Sequence, residues 1–142
     1  MDRQRFQAWL EGYVEAWQTY DETKIGALFS DDAMYRYSPQ ETEGLRGRMA
    51  IVADWLSNRD EPGTYDARYE PLAIDGDIHV GHGTTRYFDA AHNLRDEYYN
   101  VYVCRFNAAG ECTHFTEYWM QNGEFRKRDR DELLRRAKAG EV

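Results

Sequence analysis

The side chain best suited to chemistry in this 142-residue sequence is the carboxylate of Glu117. It stands in the stretch YYNVYVCRFNAAGECTHFTEYWM, residues 98–120, where two runs rich in aromatic and β-branched residues flank a short polar break. This pattern predicts a β-hairpin. Because side chains alternate between the two faces of a strand, the spacing places Glu117 on one face with Asn100, Tyr102 and further aromatic residues.

A carboxylate enclosed by aromatic side chains loses solvation, so we expect its pKa to rise toward roughly 6–7, the range used in general acid–base catalysis. Asn100 and Tyr102 can hydrogen-bond the carboxylate or a substrate oxygen. His82, on a neighbouring hairpin, is expected to point into the same space. Such a set suits proton abstraction next to a carbonyl, aldol-type cyclisation or dehydration. The alternative is that Glu117 is a satisfied buried group, tied to an arginine or a tyrosine hydroxyl.

The pairing of the two strands depends on the loop at residues 107–110. Asn, Ala, Ala and Gly at these positions fit a four-residue loop built on a type I turn, with Gly110 as the left-handed residue. This loop sets Asn100 opposite Glu117 and keeps Tyr102 on the same face. A three-residue loop would shift the pairing by one residue and move Glu117 to the face opposite Tyr102.

The hairpin is apolar on both sides, which indicates that other elements cover it. The first of these is an amphipathic helix predicted over residues 2–20. Its inner stripe consists of Phe6, Leu10, Tyr13, Trp17 and Tyr20. A short second helix, a strand over residues 34–37 and a third helix over residues 48–57 follow.

A second hairpin is predicted from residues 65–74 and 78–88, joined by the three-residue turn Asp-Gly-Asp. This turn places four aliphatic side chains on one face, which we expect to be the core face: Leu72, Ile74, Ile78 and Val80. The same face continues with Glu70, His82 and Thr84. Two glycines flank His82, and glycine inside a strand often marks the close approach of another group.

The composition argues against several classes of function. A formal net charge of -8 argues against nucleic acid and anionic membranes as partners. No stretch approaches the roughly 20 apolar residues of a membrane span, and the charged start is not a signal peptide. Cys104 and Cys112 lie on opposite faces in the predicted register, and we interpret both as reduced thiols of a cytoplasmic protein. Aromatic residues make up 15%, which suits an enclosed cavity or a subunit interface, with an aromatic-rich core as the alternative.

The sequence predicts neither a metal nor a cofactor. His79 and His82 are three residues apart on a strand, so they point to opposite faces and cannot chelate one ion together. The glycines beside His82 do not form a phosphate loop, because no helix follows them. We predict one domain over residues 1–123 and a charged tail over residues 124–142, with a helix at residues 131–139.

The order of elements resembles the nuclear-transport-factor-2-like superfamily, which includes ketosteroid isomerases and SnoaL-like polyketide cyclases. Three stretches carry the resemblance: IGALFSDDAMYRYSP, GLRGRMAIVADWL and CRFNAAGECTHFTEYWM. The resemblance implies an α+β fold in which a curved antiparallel sheet wraps around N-terminal helices as a cone-shaped barrel with a pocket. It also implies a homodimer formed through the outer face of the sheet.

Carried over residue by residue, the resemblance to the isomerases is incomplete. Their oxyanion-binding tyrosine falls on Tyr13, their second oxyanion donor falls on Tyr102, and their active-site tryptophan falls on Trp119. Their proton-shuttling carboxylate falls on Tyr37 or Ser38, neither of which can do that work at neutral pH. The resemblance therefore disfavours steroid isomerisation by that mechanism.

The related limonene-epoxide hydrolases have a catalytic aspartate at the position of Glu117. Their arginine–aspartate pair has no clear counterpart here, which disfavours epoxide hydrolysis. We therefore predict a small-molecule-binding protein that acts as an acid–base isomerase, cyclase or dehydratase on an apolar oxygenated substrate. The alternatives are a ligand-binding protein without catalysis and a protein-interaction module.

The predicted catalytic residues are Glu117, His82, Tyr102 and Tyr13. The predicted pocket-lining residues are Trp17, Tyr37, Trp55, Asn100, Phe115 and Trp119. The predicted homodimer interface consists of Tyr99, Val101, Val103, His114 and Tyr118.

Overall fold

The computed structural model describes residues 1–141; residue 142, the last of the predicted tail, and the side chains of residues 124–127 lie outside the description. The elements are α1 (Arg3–Thr19), α2 (Glu22–Ala27), β1 (Phe29–Arg36), β2 (Leu45–Arg46), α3 (Arg48–Ser57), β3 (Tyr65–Asp75), β4 (Ile78–Phe88), β5 (Leu94–Phe106), β6 (Cys112–Asn122) and α4 (Glu124–Lys138).

The six described strands form one curved sheet in the order β2-β1-β6-β5-β4-β3. The helices α1 to α3 precede the long hairpins, so the predicted α+β class is confirmed. Two details differ from the prediction. Strand β1 runs parallel to β6, so the sheet is mixed rather than antiparallel. The strand order is linear, so the described sheet is open rather than a closed barrel.

Both ends of helix α1 are set by identifiable capping residues. The side chain of Asp2 caps its start by accepting a hydrogen bond from the backbone N of Arg5 at 2.8 Å. The helix ends at Tyr20, which has a left-handed φ of 49°. The predicted span over residues 2–20 is therefore confirmed to within about one residue. Its buried face consists of Phe6, Trp9, Leu10, Tyr13 and Ala16.

The β3–β4 hairpin is present, but the predicted core face is wrong. Leu72 and Ile74 are 54% and 38% exposed, whereas His79 and Thr85 on the other face of β4 are each 2% exposed. His82 alternates with both of these residues, so it lies on the outer face. There its Nε2 is 3.4 Å from Glu70 Oε1.

Two glycines explain why the inner face of β4 carries few aliphatic side chains. A Cβ atom on Gly81 would lie 3.1 Å from the side chain of Leu10, so α1 packs directly against the strand. A Cβ atom on Gly83 would collide with the carbonyl oxygen of Arg68 on β3. The predicted close approach at these glycines is therefore confirmed, and α1 supplies the apolar side chains for this layer.

The register of this hairpin contains a compensating irregularity. Asp75 pairs with Ile78, so the turn has two residues rather than the predicted three. The pairing shifts between Pro71 and Ala73, and beyond this bulge Glu70 lies opposite His82. The bulge restores beyond Pro71 the pairing that a three-residue turn would have produced.

The β5–β6 hairpin also differs from the predicted register, and here the loop and a bulge act in the same direction. Its loop has three residues, 108–110, because the backbone N of Asn107 bonds to the carbonyl O of Glu111 at 3.0 Å. Thr113 is left unpaired in a bulge, since Phe106 pairs with Cys112 and Arg105 pairs with His114. The short loop and the bulge each shift the pairing by one residue, so the residues beyond the bulge keep their predicted faces. The predicted pairing is wrong by two residues, because Tyr102 rather than Asn100 lies opposite Glu117.

The bulge also brings the two cysteines together. Cys104 and Cys112 are both fully buried on the inner side, and both are free thiols. Burial raises the pKa of the Cys104 thiol, and its contact with Cys112 adds to this rise. The prediction that they lie on opposite faces is therefore wrong, because it contained no bulge between the loop and Cys112.

The remaining differences lie at the ends of elements. Strand β1 begins five residues before the predicted strand at 34–37, β5 begins four residues before the stretch at 98–120 that was predicted as a hairpin, and β2 was not predicted. Helix α4 begins seven residues before the predicted helix at 131–139. Among the described helices, none has the length and apolarity needed to cross a bilayer.

Candidate active site

An aromatic cavity lies between the inner face of the sheet and the helices α1 and α3. Its volume is about 580 Å³, which is within the range of small-molecule sites. Eleven of its lining residues are aromatic: Tyr13, Trp17, Tyr20, Tyr35, Tyr37, Trp55, Tyr69, Tyr87, Tyr98, Tyr102 and Trp119. The wall is thus apolar in its body, and its polarity comes from hydroxyl groups and a few charged side chains.

Glu117 lies in this wall, directly opposite Tyr102 across β5 and β6. Burial raises the pKa of its carboxyl group to about 7. Asn100 Nδ2 donates a hydrogen bond to Glu117 Oε1 at 2.6 Å, and this bond opposes the rise because it stabilises the carboxylate. A group with this pKa populates both protonation states near neutral pH, as a general acid–base catalyst must.

The charge of Glu117 acts on much of the cavity wall. Burial is the main cause of the raised pKa of six tyrosines, and the nearby carboxylate of Glu117 contributes to each of them. These residues are Tyr13, Tyr35, Tyr37, Tyr69, Tyr87 and Tyr102. All six hydroxyls stay protonated at neutral pH and can donate a hydrogen bond to a ligand oxygen.

Asn100 is held from its other side by Thr85. Thr85 Oγ1 donates to Asn100 Oδ1 at 2.9 Å, and the same Oγ1 is hydrogen-bonded to the hydroxyl of Tyr69. Thr85 and Asn100 are 2% and 5% exposed. A chain of hydrogen bonds therefore crosses four adjacent strands, from Tyr69 on β3 to Glu117 on β6.

The inner end of the cavity is formed by Tyr13 and Tyr35, whose hydroxyl oxygens lie 2.8 Å apart. Both rings stack on Phe115, with centroids 5.4 and 4.5 Å away. Phe115 is 1% exposed, so it supports these tyrosines from behind. Two neutral hydroxyls thus share the same apolar floor.

Two further carboxylates bind aromatic side chains of the wall. The hydroxyl of Tyr37 donates to Asp54 Oδ2 at 2.6 Å, and the indole Nε1 of Trp17 donates to Asp60 Oδ2 at 3.0 Å. Trp17 also stacks on Tyr65, with a centroid distance of 4.5 Å. These contacts fix the orientation of both aromatic side chains.

The charge of the wall is predominantly negative. It carries the carboxylates of Glu117, Asp54 and Asp60 and one guanidinium, that of Arg95. Arg95 is paired with Asp96 at 2.8 Å, so its charge is already partly compensated. An anionic ligand would meet electrostatic repulsion in such a cavity.

The structure brings together most of the residues predicted for the site. Those that line the cavity are Glu117, Tyr102, Tyr13, Trp17, Tyr37, Trp55, Asn100 and Trp119. Phe115 lies behind the wall, and His82 lies on the opposite face of the sheet. The prediction that His82 points into the space of Glu117 is wrong, because it rested on the aliphatic face of β4 being the core face.

Sequence reasoning missed several side chains of the wall. Thr85, Tyr69 and Tyr87 were assigned no role, although they alternate with the residues of the predicted face. The glycines of β4 carried the missing signal, because they mark the face on which a helix approaches. Asp54 and Asp60 lie on α3 and on the loop after it, and no spacing in the sequence points to them.

No group of three or more His, Cys, Asp and Glu side chains within the described part of the chain is arranged to hold a metal ion. The polar groups that line the cavity include tyrosine and threonine hydroxyls, the carboxamides of Asn58 and Asn100, and separate carboxylates. These groups suit hydrogen bonding to an organic ligand.

Comparisons with known proteins agree with the observed fold. The sequence model of the SnoaL-like domain matches residues 10–127. None of the curated proteins matches the chain.

Among solved structures, one similar fold belongs to a protein assigned as a candidate ketosteroid isomerase from Kribbella flavida DSM 17836. It has a TM-score of 0.63 and 19% identity, over 86% of this chain and 82% of that chain. An NTF-2 like protein of unknown function from Burkholderia xenovorans LB400 has a TM-score of 0.61 and 20% identity, over 88% and 92%. An LEH-like epoxide hydrolase of M. tuberculosis has a TM-score of 0.61 and 17% identity, over 83% and 84%. At these identities the likeness shows the fold alone.

Proposed function

Because this chain belongs to the SnoaL-like domain family, we propose that it is a cofactor-independent acid–base enzyme acting on a small, apolar, oxygenated molecule. Glu117 transfers the proton, and the reaction is an isomerisation, a cyclisation or a dehydration. The observation that carries the proposal is a carboxyl group with a pKa of about 7 inside an aromatic cavity of about 580 Å³. The site rather than the fold supports this function, because one fold can host several chemistries.

The proposed step begins with the ionised form of Glu117. The carboxylate removes a proton from the carbon next to a substrate carbonyl, and the electron pair moves onto the carbonyl oxygen. Tyr13 and Tyr102 donate hydrogen bonds to this developing oxyanion, the role that oxyanion holes play in other enzymes. The protonated Glu117 then returns the proton to a second position of the substrate, which completes an isomerisation without a cofactor.

The similar structures support the location of this chemistry but not its details. An isomerase candidate and an epoxide hydrolase share the fold. By the resemblance, the isomerase base falls on Tyr37 or Ser38 in this chain, and the hydroxyl of Tyr37 donates a hydrogen bond to Asp54 at 2.6 Å. Isomerisation of steroids through that position is therefore not proposed, and Glu117 is the base.

The proposal is tested without knowledge of the natural substrate. Apolar ketones and aldehydes are incubated with the protein in D2O, and NMR follows the exchange of the protons next to the carbonyl. We expect the wild type to accelerate this exchange for some of them and Glu117→Gln to reduce the acceleration by at least about 100-fold. Glu70→Gln, on the outer face, is the matched control. Wild-type exchange in Glu117→Gln would remove Glu117 from the mechanism.

A second candidate function is ligand binding without catalysis. The hydrogen bond from Asn100 to Glu117 favours it, because a satisfied buried carboxylate can be a structural group. Under this alternative Glu117→Gln retains ligand and no proton exchange occurs in either protein. The same exchange experiment therefore separates the two functions.

We also propose that the protein forms a homodimer through the outer face of the sheet. Tyr99 and Tyr118 are 53% and 45% exposed on adjacent strands of this face, and Val101 and Val103 lie beside them. Exposed aromatic patches of this kind commonly mark interfaces. Light scattering at micromolar concentration should give twice the chain mass, and Val101→Glu should give a monomer, with Leu133→Glu on α4 as the control. A monomeric wild type would contradict the proposal.

A further inference from the structure

The side chain of Asn100 has two different ends, and each end has a different partner. Nδ2 lies 2.6 Å from Glu117 Oε1, and Oδ1 lies 2.9 Å from Thr85 Oγ1. An amide of this shape can turn over and exchange its N and O atoms at almost no steric cost. The orientation must therefore be selected by the groups that it contacts.

Thr85 is the group that can make this selection. A threonine hydroxyl carries one proton, and Thr85 Oγ1 contacts both Tyr69 and Asn100. When Tyr69 donates to Thr85, the proton of Thr85 remains for Asn100 Oδ1. With the amide reversed, Oδ1 would face the Glu117 carboxylate, and two acceptors would meet at 2.6 Å.

We propose that Thr85 is a positioning residue, which fixes the amide of Asn100 so that Nδ2 faces Glu117 Oε1 and leaves Oε2 for the substrate. Within the described part of the chain, no other side chain donates a hydrogen bond to Glu117. Thr85 acts through Asn100 and does not itself contact Glu117. The inference rests on the proposed acid–base role of Glu117 and adds the hydrogen bonds, from Thr85 to Asn100 and from Asn100 to Glu117, that set the proton affinity of its carboxyl group.

The direction of the effect follows from the charge of the two amide ends. Nδ2 stabilises the carboxylate by donating a hydrogen bond to it, whereas Oδ1 stabilises the protonated carboxyl by accepting a hydrogen bond from its O–H group. Loss of the Thr85 hydroxyl leaves Oδ1 without a donor, so the reversed orientation becomes populated. The proton should then be held more tightly by Glu117.

Other groups near Glu117 do not obscure this effect. The titratable groups of the elements packed around it are Tyr13 from α1, Tyr20 at the end of α1, Tyr35 from β1, Tyr37 just after β1, Asp54 from α3, Asp60 from the loop after α3, Tyr69 from β3, Tyr87 from β4, and Arg95, Tyr98 and Tyr102 from β5. All of these except Tyr69 are unchanged in every variant below, and Tyr69 is changed in one.

The experiment follows the titration of Glu117 directly. The protein is labelled with ¹³C at the glutamate carboxyl, and the signal of Glu117 is assigned by its loss in Glu117→Gln. We expect Thr85→Val to raise the titration midpoint by about one pH unit, a tenfold change in proton affinity. Thr85→Ser, which keeps the hydroxyl, should titrate as the wild type does. A Thr85→Val midpoint equal to that of the wild type would overturn the proposal.

A second variant covers the case in which Thr85→Val does not fold. Tyr69→Phe removes the hydroxyl that directs the Thr85 proton toward Asn100 but keeps the ring. It should raise the midpoint by a few tenths of a unit, and an unchanged midpoint would count against the proposal. Because the titration needs no substrate, a failure of the proposed catalysis leaves this result readable, and the reverse also holds.

Discussion

The hydroxyl oxygens of Tyr13 and Tyr35 lie 2.8 Å apart at the inner end of the cavity. One of the two donates to the other, and a hydroxyl that accepts a hydrogen bond becomes a stronger donor itself. When Tyr35 is the donor, Tyr13 keeps its proton for a ligand oxygen. The pair can therefore act as one polarised donor on an apolar floor formed by Phe115.

The first prediction concerns this pair. Tyr13→Phe should lower the rate of proton exchange by about 100-fold, because it removes the donor that contacts the oxyanion. Tyr35→Phe should lower the rate of proton exchange by only about 10-fold, because it removes only the hydroxyl that polarises Tyr13. Tyr99→Phe on the outer face is the control. A larger loss in Tyr35→Phe than in Tyr13→Phe would reverse the assigned order of the two residues.

The second prediction concerns stability and pH. The pKa of Glu117 is raised in the folded protein to about 7 from 4.5. Its contribution to stability is therefore complete below pH 4.5 and is lost as the pH rises through about 7. Between about pH 5 and pH 8 the free energy of unfolding of the wild type should fall by about 2–3 kcal/mol relative to that of Glu117→Gln. Urea denaturation of both proteins measures this difference, and parallel pH profiles would be inconsistent with a buried carboxyl group.

The third prediction concerns the charge of the ligand. Three carboxylates in the wall face one guanidinium, which is itself paired. At about pH 8, 3-phenylpropan-1-ol should therefore bind at least about tenfold more tightly than the carboxylate of the same size, 3-phenylpropanoate. Tryptophan fluorescence can report binding, because Trp17 and Trp119 line the cavity. Asp60→Asn should reduce the difference in affinity between the alcohol and the carboxylate. Equal affinities of the wild type for the two ligands would refute the electrostatic argument.

The fourth prediction concerns the packing of β4. Gly83→Ala should destabilise the protein by at least about 2 kcal/mol, because its Cβ atom would collide with the Arg68 carbonyl oxygen. Gly123→Ala is the matched control, since nothing lies within 4 Å of a Cβ atom there. Thermal or urea denaturation compares the two variants. Equal stability would mean that β3 and β4 are further apart at this point than the structure places them.

The sequence predicts the architecture well because its strongest patterns are long. The stripe of α1, the third helix and both hairpins were located from periodicity and turn residues, and all four are present. The face of Glu117 was also correct, although the loop length was wrong. The shorter loop and the unpaired Thr113 together shift the pairing by two residues, which returns the side chains beyond the bulge to their predicted faces, and no residue type in the sequence indicates this bulge.

The faces of β4 could not be predicted from hydrophobicity. Aliphatic residues 72, 74, 78 and 80 indicated a core face, but the true inner face carries two glycines beside His79 and Thr85. There the apolar side chains come from α1, so the strand itself needs little bulk. This is a property of packing between distant elements. For this reason the sequence-based prediction placed His82 on the wrong face and assigned no role to Thr85.

The most direct test of the central claim is the titration of Glu117 in the wild-type protein, followed through the ¹³C signal of its carboxyl group. The structure predicts a midpoint of about 7, because burial among aromatic rings raises the pKa of the carboxyl group by more than the single hydrogen bond from Asn100 lowers it. A midpoint near 4.5, the ordinary value of a glutamate, would show that Glu117 is solvated and would contradict its role as the acid–base group.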